Sequence, residues 1–168
     1  MILPLAILMA VNLTSSGPAN STDTPKMADP ALEKMAALVG GKWYFQDKNG
    51  FKVQHTYEMA MNGKAVRGNG IIAIGTPGEM QVETLYGWDP VAKSAYYIDF
   101  HGHDSVYKGT IKAEGNSLLL DFETLIGAPG KFKARIDLVD PNTMRSVIVG
   151  KKGDTWVDLH TFEFKRQR

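Results

Sequence analysis

Histidine carries most of the chemistry open to this chain, which has four histidines and no cysteine. His160 stands in Trp156-x-Asp158-x-His160-x-Phe162-x-Phe164, a run whose alternation predicts one aromatic face, pointing inward, shared by His160 and Asp158. An inward imidazole needs a partner. It orients a ligand or ligates iron, or it is simply hydrogen-bonded to Asp158 or a cross-strand Tyr, or exposed at a barrel mouth. His55 shares an apolar face with Tyr57 and Met59, as a cavity wall or as a satisfied core residue. Asp99, His101, His103 and Asp104 cluster within six positions, and alternation allows the first three to share a face. Gly102 interrupts that run and no Glu-x-x-His or His-x-x-x-His spacing accompanies it, so turn chemistry is preferred to a metal site.

Nothing else assembles a catalyst. Ser105 near His101 and His103 lacks a nucleophile elbow, and Asp121 with Glu123 reads as a solvated pair. Lys131, Lys133 and Arg135 alternate as the solvent face of one strand, and Gly127-Ala128-Pro129-Gly130 is too short to cradle phosphate. No catalytic or metal residue is expected. An enzyme acting on an apolar substrate stays open behind a binding role.

Composition narrows the partners. The 168 residues are 43% hydrophobic and 22% charged, enough for one domain with a real core, and a formal charge of +1 gives no field to draw nucleic acid. Met1 to Val11 is an apolar run of signal-peptide length, too short to span a bilayer, with cleavage feasible after Ala19. The expected organisation is a signal peptide over 1–19, a disordered linker over 20–28 and one domain over 29–168. Export to a periplasm or the exterior follows, or a cytoplasmic protein if translation starts at Met27.

The elements that must position these residues are almost all strands. Asp29-Pro30 opens a short helix ending by Gly40, with Leu32, Met35, Ala36 and Val39 on one stripe that plugs a barrel end. Alternating segments then follow one another, separated by Asn62-Gly63, Gly75 to Gly78, Asp89-Pro90, Glu114-Gly115-Asn116, Asp140-Pro141-Asn142 and Lys152-Gly153. Gly68 and Gly70 are read as a bulge or sharp bend. About ten strands with tight turns predict an all-β, up-and-down antiparallel barrel. Charged outer faces exclude a lipid-facing one, so the barrel is expected to be soluble.

Gly41-x-Trp43 after a helix resembles the start of lipocalins and other calycins. Together with Gly87-x-Asp89-Pro90, Tyr96 to Asp99, Tyr107-x-Gly109 and Trp156 leading to Phe164-Lys165-Arg166, it is similar to the DUF1579 family over roughly Pro30 to Arg166. The resemblance implies a lipocalin-like barrel of unassigned function and carries over no catalytic residue. Nitrobindin-like haem barrels, similar in length, strand count and a His on the last strand, use such a residue axially, so haem or nitric oxide at His160 is the alternative.

The leading expectation is a small hydrophobic molecule held inside the barrel. Its expected lining is His55, Tyr57, Met59, Tyr86, Trp88, Trp156, His160 and Phe162, with Val53, Phe132 and Ile136. Trp43 and Arg166 are expected to meet where the first and last strands close.

Overall fold

The computed structural model describes Met27 and residues 29–167; the expected signal peptide and all of the expected linker but Met27 lie outside the described residues. The described residues form one α-helix, α1 (Pro30–Ala36), and ten strands: β1 (Lys42–Gln46), β2 (Lys52–Ala60), β3 (Ala65–Ile72), β4 (Met80–Asp89), β5 (Ser94–His101), β6 (Ser105–Glu114), β7 (Ser117–Ile126), β8 (Lys131–Asp140), β9 (Thr143–Lys152) and β10 (Thr155–Gln167). Every strand pairs antiparallel with its sequence neighbour, and β1 also pairs with β10. The sheet is therefore a closed barrel without an open edge. Among the described residues no helix is long and apolar enough to cross a membrane.

Local chemistry accounts for the elements. The Asp29 carboxylate accepts from the Ala31 N–H at 2.7 Å and Pro30 occupies the first turn, so α1 starts where its orphan donors are met. Leu32 and Met35 are fully buried, each contributing roughly 1.5–3 kcal/mol of transfer free energy. The Trp43 indole N–H donates to the Leu38 carbonyl at 2.9 Å, tying the segment after the helix to the first strand. Aspartates hold the turns. Asp47 Oδ1 accepts from the Asn49 and Phe51 N–H groups, Asp89 Oδ1 from those of Val91 and Ala92, and Asp140 Oδ1 from that of Asn142. Between β2 and β3 the chain turns through Met61, Asn62 and Gly63, all with positive φ.

Two sequence expectations are corrected. Gly68 and Gly70 are not a bulge, because β3 keeps an unbroken register with β2 and β4. Gly70 lies directly opposite His55 and Gly68 opposite Tyr57, and a Cβ on Gly70 would meet His55 Cε1 at 2.6 Å. These glycines are seats for rings. The irregularity falls instead at Leu159: Asp158 pairs with Val149 and His160 with Ile148, so one extra residue sits in β10. Alternation therefore changes phase there. Trp156 is opposite Lys151 on the outer wall, with Lys133 Nζ 4.8 Å from its ring, and Asp158 is outer as well. His160, opposite Ile148, shares the inner face with Phe162 and Phe164.

Candidate functional site

The two ends of the barrel differ. Around α1 the inner face is sealed by Trp43, Tyr57, Val66, Tyr86, Ile111 and Leu118, all buried. Met59 and Trp88 pack against this cluster and are half-buried. Four of the expected lining residues, Tyr57, Met59, Tyr86 and Trp88, thus belong to the filled half of the barrel. Burial, the largest cause, pushes the phenols of Tyr57, Tyr86 and Tyr97 well above the ordinary range, so all three stay protonated at neutral pH.

At the opposite end the inner face stays open to partial exposure although it is aromatic. Phe45, His55, His101, Tyr107, Phe132 and Phe162 are half-buried there. Their rings interlock: Phe45 meets Phe162 edge-on at 5.1 Å, Tyr107 meets Phe132 at 5.7 Å, and Phe122 stacks on Phe132 at 5.3 Å. His160 stacks on Phe162 at 5.6 Å and is itself exposed, on the rim of this mouth. The histidine named from sequence therefore faces inward at the entrance, while Trp156 stands outside.

A polar group sits on the inner wall beneath the mouth. Thr84 Oγ1 donates to Asp99 Oδ1 at 2.6 Å, and His101 Nε2 lies 2.8 Å from Asp99 Oδ2. An ionised carboxylate only accepts, so against it Nε2 carries the proton and Nδ1 remains the ring's other polar atom. The inner-face position follows from register, since Thr84 is opposite Asp99, Val82 opposite His101, and Tyr107 opposite Asp99 from the other side. Tyr107 also meets His101 edge-on at 4.9 Å. His55 completes the group through longer-range charge. Burial lowers its pKa to about 4, with Asp99 opposing and His101 reinforcing that shift, so it is neutral at pH 7. Thr124, opposite Tyr107, has a buried hydroxyl with no hydrogen-bond partner among the described residues.

Sequence reasoning noticed Asp99 and His101 on one face but gave them no role, because Thr84, Tyr107 and His55 reach them from three other strands. His103, grouped with them by sequence, is exposed in the turn after β5. Among the described residues no three His, Asp or Glu side chains are placed to hold a metal ion. A concavity of about 900 Å³ lies on the outer wall over β5 to β9, where Ile98, Leu119 and Val149 alternate with lysines. That is a solvated strand face rather than an interior.

A ten-stranded antiparallel barrel with one short helix packed at an end defines a calycin-like barrel. The chain is similar to Rv2717c from M. tuberculosis, whose crystal structure superposes with a TM-score of 0.53 at 15% identity over 83% of this chain and 98% of that one. At that identity the likeness is one of fold. No protein-family model and no curated protein matches the sequence.

Proposed function

We propose that this barrel binds a small hydrophobic or amphipathic molecule through the end opposite α1, its polar part directed to Asp99, His101 and Thr84. One observation carries the reading: at the end opposite α1 a whole group of inner-face rings, Phe45, Tyr107, Phe132 and Phe162, remains half-exposed around a hydrogen-bonded carboxylate and imidazole. An apolar wall with a few convergent polar groups is the usual make-up of a small-molecule site. The proposal includes the lipocalin-like kinship with the DUF1579 family, carried by motif order, and export of the mature domain. Anilinonaphthalene sulfonate tests the site. Its fluorescence should rise on binding the protein and the rise should be lost in Phe132→Asp or Phe162→Asp, whereas a signal indifferent to both substitutions contradicts the mouth as the site.

A haem- or nitric-oxide-binding barrel using His160 is the second reading. The Leu159 bulge favours it by setting an exposed imidazole on the inner side of the rim, stacked on Phe162. Haem bound there would supply an iron able to take a diatomic gas, and His160 would hold it. Haem titration decides: a Soret band formed by the protein and lost in His160→Ala supports this reading, and a band unchanged in the variant excludes it.

A further inference from the structure

The apolar side chains left exposed are not scattered evenly. Of nine large ones among the described residues, Leu125, Ile126, Trp156, Val157 and Leu159 belong to the ends of two adjoining hairpins, β7–β8 and β9–β10, beside the mouth. The first seven residues of β10, Thr155 to Thr161, are all exposed. Such a concentration marks a surface that meets something apolar.

What flanks it says what that is. Lys131, Lys133, Lys151 and Lys152 surround these side chains, and no ion pair among the described residues engages Lys131, Lys151 or Lys152. Of the nearby carboxylates, Glu123 is opposite Lys131 and 3.8 Å from Lys108, and Asp121 is opposite Lys133, which leaves Lys151 and Lys152 at the hairpin end with Asp154 and Asp158. Lys131 and Lys151 line one groove of about 440 Å³ between the hairpin ends, together with Glu123, Thr124, Pro129, Gly130 and Gly153. Two ammonium groups over a concavity of that size suit a phosphate-bearing headgroup, and the aliphatic tips on either side suit the acyl boundary beneath it.

We infer that the β7–β8 and β9–β10 hairpin ends form a docking surface for an anionic phospholipid bilayer, with Leu125, Ile126, Trp156, Val157 and Leu159 entering the interface and Lys131 and Lys151 on the headgroups. The barrel then rests with its mouth on the membrane. Apolar insertion and lysine attraction act together, so the association is reversible and falls with salt. The surface is the rim itself, with Trp156 on its outer side and Val157, opposite Gly150, on its inner side, and vesicle binding is read separately from ligand binding.

Vesicle co-sedimentation tests it, using phosphatidylcholine alone or mixed with phosphatidylglycerol. The full chain should bind the anionic vesicles and not the neutral ones. Lys131→Glu with Lys151→Glu should weaken that binding roughly tenfold or more, while Lys64→Glu with Lys93→Glu, an equal charge change at the α1 end, should leave it unaltered. Trp emission adds a second readout, since Trp43 is buried, Trp88 lies half-buried at the α1 end and Trp156 is exposed: vesicles should blue-shift the emission, and Trp156→Phe should abolish the shift. Failure of the full chain to bind anionic vesicles, equal binding to neutral ones, or equal loss in the two charge variants would each overturn the inference.

Discussion

The Arg166 guanidinium lies 4.4 Å from the centroid of the Trp43 indole, and the two residues are direct partners across the β1–β10 seam that closes the barrel. The same side chain donates to the Ala37 carbonyl at 2.7 Å, just beyond α1. One residue of the last strand therefore clasps the first strand and the helix cap together. A cation over an indole contributes roughly 0.5–2 kcal/mol, and a charge-assisted hydrogen bond adds to it.

Arg166→Ala should accordingly cost about 1–3 kcal/mol and lower the thermal midpoint by roughly 3–10 °C. Arg166→Lys should fall between, because an ammonium keeps the charge but loses the planar fork. Thermal unfolding followed by circular dichroism reads both. An unmoved midpoint in Arg166→Ala would mean that the seam is held elsewhere.

The seating of His55 on Gly70 gives a prediction with a change of sign. A Cβ on Gly70 would meet the imidazole at 2.6 and 2.7 Å, and the ring is hemmed by Phe164 edge-on at 5.4 Å and Tyr57 at 6.2 Å. Gly70→Ala should therefore destabilise by about 1–3 kcal/mol. In a His55→Ala background the overlap is gone, and the same substitution should stabilise by up to about 1 kcal/mol through the unfolded chain's lost freedom. Urea unfolding of the four proteins measures the coupling. Equal effects of Gly70→Ala in both backgrounds would refute the seating.

Acid should weaken the fold through His55. Burial holds its imidazole pKa down from the ordinary 6.5 of the unfolded chain to about 4, so the unfolded state binds more protons between those values. Above pH 6.5 both states are neutral and no penalty exists. As pH falls toward 4 the unfolded state gains, by an amount on the order of 2–3 kcal/mol. The urea midpoint should decline over that window, and His55→Phe should flatten the decline. A wild-type slope that persists in the variant would assign the acid sensitivity to other groups.

The bulge sets the phase between Trp156 and His160. Deleting Leu159 removes the extra residue and makes Asp158 and His160 neighbours opposite Val149 and Ile148, so the ladder should become regular with Trp156 still opposite Lys151 on the outer wall. Acrylamide quenching of tryptophan emission should then be unchanged in a folded variant, and a fall in quenching would show that Leu159 is not the extra residue and that Trp156 has turned inward.

Much of the architecture was legible because strands of period two and turn residues such as Asn62-Gly63 and Asp89-Pro90 are local signals. Closure was legible too, through Trp43 and Arg166 at opposite ends of the chain. What escaped was non-local. A single added residue at Leu159 inverts a face without any marker in Trp156 to Phe164. The difference between a filled end and an open one depends on where α1 docks, so Tyr57, Tyr86 and Trp88 could not be separated from His55 and Phe162 by alternation alone. Asp99 and His101 gained meaning only when β4 and β6 brought Thr84 and Tyr107 beside them.

Native mass spectrometry of the protein purified from its own host tests the central proposal most directly. The account predicts a non-covalent adduct of one small apolar molecule on the intact domain, reduced or absent in Phe132→Asp. A wild-type mass equal to the polypeptide alone, with the same spectrum from the variant, would contradict a barrel whose open end holds a ligand.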